Sequence, residues 1–239
     1  MSIHSKFLIH WTGRSINSGS TPSPEPKSAQ YLALLKSIVL GGFDMKEGTE
    51  RIQGREDSEI AITVPRVCFS EIRLRDVPQH CGKYGHLGIG FSRQFVLVRY
   101  GCPVFYIQNG PKGVVIENLA RIHQFLGQCD SANQTEYVKD LDVVLGFLKN
   151  MWGNHQQELE FYDEMEWRIV YLTHMNGPYC EPPRSGRCPV LKIEPSDIKL
   201  LVFPDDGVRK AALEDEDLHE RLFRSHTPVL ATVEECGNF

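Results

Sequence analysis

Apolar residues recur along this chain with two different periods, and the places where one gives way to the other predict its elements. From Ala29 to Leu40 the residues Tyr31, Leu32, Leu34, Leu35, Ile38 and Val39 follow the 3.6-residue period of a helix, and Gly41-Gly42 stands where a left-handed C-cap is wanted. Two further amphipathic segments predict helices over 114–126 and 135–152, the second carrying Val138, Leu141, Val144, Leu145 and Leu148 on one stripe. A fourth helix is expected over 208–223. Short apolar runs bounded by turn residues predict strands at 6–11, 87–91, 102–108, 167–173, 190–193, 200–203 and 229–233, together with 60–64 and 66–69 broken at Pro65. Gly88 and Gly90 within the 87–91 strand allow something to approach the backbone closely.

The stretches between these runs read as irregular. Residues 46–57 are charged, and 70–85 mix charges with Pro78 and His80. Ser15 to Ser28 is rich in Ser, Pro and Gly and predicts a flexible loop, a candidate lid. Residues 176–189 contain Gly177, Pro178, Pro182, Pro183 and Gly186 and predict a long surface loop. Strands and helices that follow one another without a strict βαβ alternation predict an α+β fold, a split and mostly antiparallel sheet with helices on its outer faces. No internal repeat or heptad interrupts it. At 239 residues, one compact domain over 1–239 is expected.

Composition narrows the classes. A hydrophobic share of 41% is enough for a core and too high for a disordered chain. A formal net charge of −5 provides no general field for polyanions, so nucleic acid is not expected as a constitutive partner. Seven scattered cysteines without a C-x-x-C pair, and no charged-then-apolar leader, predict a cytoplasmic protein with free thiols. No apolar run approaches the roughly 20 residues that cross a bilayer, so no membrane association is expected.

Candidate chemistry concentrates in 161–171, where an acidic cluster runs into a β-type segment. Glu164 and Glu166 are two apart, so an extended backbone points both carboxylates to one face and Met165 and Trp167 to the other. The alternative is a Glu166–Arg168 pair on a solvated strand face. His10 lies inside an apolar strand, a costly place for an imidazole without a partner or ligand, although a satisfied structural histidine fits the same position. Ser70 and Glu71 close a strand at Cys68-Phe69-Ser70-Glu71, either as cleft residues or as a cap and a surface acid. His80, Cys81, Tyr84 and His86 crowd together, but with Cys180 and Cys188 so far apart they lack the tight ligand pairs of zinc sites, and no metal is expected. Walker A, dinucleotide-binding and nucleophile-elbow motifs are absent.

Cys68-Phe69-Ser70-Glu71, then His80-x-x-x-Tyr84-Gly85-His86-x-Gly88-Ile89-Gly90-Phe91, then Glu164-x-Glu166-Trp167-Arg168 resemble the AbiGi family of abortive phage-infection proteins, described as antitoxins. That resemblance implies a role in phage defence with a cognate toxin, or a host or phage macromolecule, as partner. More distantly, His10-Trp11-Thr12-Gly13 and the 166–171 strand resemble the NAD-contacting and catalytic strands of ADP-ribosyltransferases. This second resemblance implies an ADP-ribosyltransferase-like fold with NAD as cofactor. His10, Thr12, Ser70, His80 and Tyr84 would line the NAD cleft, Glu166 would stabilise the ribosyl cation and Glu164 would polarise the acceptor. The tyrosine that family carries on its second strand is Cys68 here, or Gly90 in the other alignment. A non-catalytic antitoxin or protein-binding module on the same fold is the competing expectation.

Overall fold

The structure is a computed structural model that describes residues 6–18, 25–53, 59–107, 114–128, 134–150, 164–224 and 226–238. In chain order the strands are β1 (Leu8–Thr12), β2 (Phe43–Asp44), β3 (Lys46–Gln53), β4 (Glu59–Ser70), β5 (Leu87–Phe91), β6 (Cys102–Pro103), β7 (Phe105–Ile107), β8 (Leu148–Asn150), β9 (Glu166–Val170), β10 (Cys180–Glu181), β11 (Val190–Leu191), β12 (Ile198–Phe203) and β13 (Val229–Thr232). The helices are α1 (Arg14–Ser18), α2 (Lys27–Gly41), α3 (Val77–Tyr84), α4 (Arg93–Leu97), α5 (Val114–Gln128), α6 (Gln134–Leu145), α7 (Asp206–Glu214), α8 (Glu216–Leu218) and α9 (Val233–Cys236). The fold is α+β. Its main sheet has the order β13-β12-β5-β1-β4-β9-β6, with β3 added to β4, and every pairing in it is antiparallel except β12 with β13.

Strand alternation sorts the side chains between two faces. One face carries Leu8, Val67, Phe69, Ile89, Phe91, Ile169 and Phe203, which join Tyr31, Leu35 and Ile38 of α2 and Val208 and Ala212 of α7 in a single large core. The opposite face is divided. Ile9, Trp11, Leu200 and Val202 pack with Val77 and Cys81 of α3 and Cys236 of α9, while Ile62, Val64 and Val170 pack with Leu145 and Leu148. Gly88 and Gly90 serve this face: a Cβ on either would lie 2.7 Å from Trp11 Cζ3 or Leu200 Cβ, so the glycines let those side chains lie across β5. Among the described residues no helix is long and apolar enough to cross a membrane.

Several sequence expectations need correction. The charged segment read as irregular is β3, paired residue for residue with β4 from Lys46↔Arg66 to Gln53↔Glu59; polar side chains on both faces of a two-stranded arm hid its period. Pro65 does not break β4, because it sits opposite Glu47 in register while its carbonyl accepts from Tyr171 N at 2.9 Å. The helix expected over 135–152 stops at Leu145: Gly146 passes so close to Val64 that a Cβ would meet Val64 Cγ2 at 2.8 Å, and the chain then becomes β8. The helix expected over 208–223 is divided at Asp215, whose carboxylate caps a new start at Leu218 N. A strand expected over 102–108 is two strands, and 176–189 is not wholly surface, since Cys180 is fully buried and pairs β10 with β11. Of the lid predicted over 15–28, 15–18 belong to α1 and 27–28 to α2, while 19–24 lie outside the described residues, as do 161–163 of the acidic cluster.

Candidate functional site

The cleft forms where the divided face has no apolar cover, above the paired ends of β4 and β9. Their register places Cys68 opposite Arg168 and Ser70 opposite Glu166, so these four side chains share a face. Arg168 is 1% exposed and anchors the arrangement. It donates from Nε to Glu166 Oε1 at 2.6 Å, from Nη2 to Glu50 Oε1 at 2.7 Å, and from Nη1 to the carbonyl of Gly146 at 2.6 Å. Glu50 on β3 also accepts from Arg66 Nη2 at 2.6 Å. Lys149 on β8 donates to Glu166 Oε2 at 2.6 Å and to Glu164 Oε2, and Tyr84 donates its hydroxyl proton to Glu164 Oε1. Three carboxylates thus face three basic groups around a cavity of about 270 Å³.

The helix α3, which the sequence reading left irregular, brings the aromatic wall. Pro78 stands in its first turn, Gly85 with φ 120° closes it, and the four-residue spacing of His80 and Tyr84 puts both rings on one helix face, 4.6 Å apart between centroids. His80 Nε2 lies 2.9 Å from Ser70 Oγ. Beyond the cleft, Glu71 accepts from Trp167 Nε1 at 2.8 Å and from Arg93, while its backbone N–H donates to the carbonyl of Met165. Hydrogen bonds therefore join all three quoted motifs. Met165, between the two acids, holds φ 42°, a left-handed conformation that a side chain disfavours.

Of the site residues expected from sequence, Ser70, Tyr84, Glu164 and Glu166 face one another across this cleft, with His80 behind Ser70. His10 borders it as floor. Its Nδ1 lies 2.9 Å from the carbonyl of Cys68, and its ring packs 4.6 Å from Phe43 and 6.1 Å from Phe69, on the side of the large core. Thr12 alternates to that same side and pairs with Leu87. Sequence reasoning missed Glu50 and Lys149, which lay in segments assigned no element or the wrong one, and also Trp11 and Arg66. Arg168 was legible only as a surface partner of Glu166; its strand alternation marked the shared face, and its burial was not foreseen. Among the described residues no three His, Cys, Asp or Glu side chains gather as metal ligands.

Electrostatics separates the two acids. Burial alone would raise Glu166, but Arg168 and Lys149 outweigh it and hold the carboxyl down at about 2. Burial, then the Glu166 charge beside it, pushes Glu164 up to about 8, against the opposing charges of Lys83 and Arg168. Burial, with Lys83 and Lys149 nearby, lowers His80 to about 4, so its imidazole is neutral. Cys68 is pushed up to about 12 by burial and by Glu166. The site therefore offers a fixed carboxylate, a second acid that exchanges its proton near neutral pH, and a neutral Ser70–His80 pair.

Residues 47–179 match the model of a family described as "Putative abortive phage resistance protein AbiGi, antitoxin". No curated protein and no solved structure matches the chain. The matched span contains the whole ionic cluster and α3 but not His10 or Trp11.

Proposed function

The chain belongs to the AbiGi family of phage-resistance antitoxins, and on that premise we propose that it acts in phage defence by binding a cognate toxin, with its ionic cleft as the rigid centre of the binding module. The observation that carries this reading is the state of Glu166. Both of its carboxylate oxygens are engaged, Oε1 by Arg168 and Oε2 by Lys149, in a group that is 6% exposed. A carboxylate that must stabilise a cation developing on a substrate needs a free oxygen at the reacting centre. This one is spent on Lys149 of β8 and on Arg168, which in turn binds Glu50 of β3. Co-expression with a toxin drawn from the genes that neighbour its own tests the reading: growth is restored by the wild-type chain, and restoration falls for variants that unfold the cluster.

A second reading keeps NAD-dependent ADP-ribosyl transfer. It is favoured by the placement of Ser70, Tyr84, Glu164 and Glu166 around one cavity that His10 also borders. In that reading Lys149 leaves the carboxylates when NAD enters, Glu166 faces the ribosyl cation and Glu164 polarises the acceptor. Thermal unfolding with NAD separates the two readings, since a ligand at 100 times its dissociation constant adds about 2.7 kcal/mol to native stability. Absence of both that shift and nicotinamide release, with cell lysate supplied as acceptor, removes the enzymatic reading.

A further inference from the structure

Two cations serve the same carboxylate in this cleft, and they are held very differently. Arg168 is 1% exposed and donates from all three guanidinium nitrogens to side chains and to two backbone carbonyls. Lys149, with a side chain 15% exposed, stands on β8 of a separate two-stranded sheet, and its contacts include Glu164 and Glu166, reached through a flexible stem. The first is built in. The second is an ammonium resting in a seat made by two carboxylates and the Tyr84 hydroxyl that orients one of them. Trp11 adds an independent sign of an unfilled position: it is 8% exposed, borders the cleft, and its indole N–H has no hydrogen-bond partner. Its Cζ3 edge lies over Gly88 of β5. A buried donor without an acceptor is costly, and a carbonyl entering from the cleft relieves that cost.

We infer that Lys149 occupies in place the seat of a basic side chain of the protein partner, whose ammonium or guanidinium displaces it onto Glu164 and Glu166 while the carbonyl of the same inserted segment accepts from Trp11. The inference rests on the partner-binding reading and specifies how the partner engages the cleft. No bond is made or broken; one cation replaces another, so the charge of the cluster is conserved. Self-occupancy also sets the strength of binding, because apparent affinity falls by the fraction of molecules in which the seat is open.

The test uses the full chain and N-acetyl-L-lysine methylamide as probe, with the norleucine analogue as the uncharged control. In Lys149→Ala the lysine probe should raise the unfolding temperature saturably, at a concentration about tenfold below that needed for the wild type. The norleucine analogue should not, and adding Glu164→Gln should weaken the response by a similar factor at pH 9, where Glu164 is ionised. If Lys149→Ala does not fold, Lys149→Met keeps the apolar stem without the charge, and calorimetric titration of the wild type reads the same event. Equal responses to both probes, or no saturable response in either variant, overturn the inference. A chain that neutralises its toxin but ignores the lysine probe rejects this mode of engagement and leaves the antitoxin reading intact. A chain that binds the probe but neutralises no toxin rejects the partner as occupant.

Discussion

The two faces of the main sheet are held by opposite means. On the α2–α7 side, Phe43, Phe69, Phe91 and Phe95 lie in a chain of ring contacts, with centroids 4.3 Å apart for Phe91–Phe95 and 5.8 Å for Phe69–Phe91, and charge reaches it at the edge, where the Arg99 guanidinium stacks 3.8 Å over the Phe95 ring. On the other side two small apolar patches leave a gap that Glu50, Lys149, Glu164, Glu166 and Arg168 fill with ions. Apolar burial is non-directional and tolerates conservative exchange. A buried ionic cluster contributes little net stability, yet becomes strongly destabilising once one member is removed. The first face therefore sets how stable the chain is, and the second sets which arrangement of β3, β8, β9 and α3 it adopts.

The largest expected effect breaks the comparison from the ionic side. Arg168→Met leaves Glu50 and Glu166 without their shared cation and should cost about 3–5 kcal/mol in denaturant unfolding. Phe69→Ala on the other face should cost a similar 3–5 kcal/mol by leaving a cavity. The two differ in coupling. Adding Glu166→Gln to Arg168→Met should recover part of the loss, by roughly 1–3 kcal/mol, whereas combining it with Phe69→Ala should be additive. Additivity in both pairs contradicts the distinction between the faces.

A pH titration sharpens it further. Glu166, held down at about 2, contributes stability that is present above the ordinary carboxylate range and is lost as pH falls through about 2. Glu164 has the opposite sign. Its carboxyl, raised to about 8, keeps its proton more tightly in the folded chain, so stability is lost as pH rises from the ordinary carboxylate range through about 8. Glu164→Gln should flatten the alkaline decline, and Phe69→Ala should leave the shape of both limbs unchanged. The smallest effect concerns Met165. At φ 42°, Met165→Gly should change stability by less than about 0.5 kcal/mol, since relief of strain offsets added freedom in the unfolded chain, while Met165→Ile should cost about 1–2 kcal/mol.

The apolar face was legible in the sequence and the ionic face largely was not. Tyr31, Leu35 and Ile38 repeat with the helical period, and the observed Lys27–Gly41 helix follows from them; alternating Val67, Phe69, Ile89 and Phe91 likewise mark strands. β3 and α3 escaped because their polar positions are satisfied by partners distant in sequence, Glu50 by Arg168 across 118 residues and His80 by Ser70 around a turn. Period alone cannot distinguish such residues from a solvated loop. What could be read was that Glu164 and Glu166 act together: both carboxylates do meet Lys149, although a left-handed Met165 at φ 42°, and not the expected alternation of an extended strand, brings them there. Arg168 was legible two residues away as a partner of Glu166, though on a solvated face, whereas Lys149 was out of reach, because long-range ion pairs leave no local pattern.

The account turns on Glu166 as a structural ion, and denaturant unfolding of Glu166→Gln tests it most directly. The amide is close in shape but cannot balance Arg168 and Lys149, so the account predicts a loss of about 3 kcal/mol, with toxin neutralisation falling in step with the folded fraction. A Glu166→Gln variant of unchanged stability would contradict it, and loss of nicotinamide release in such a variant would return Glu166 to catalysis.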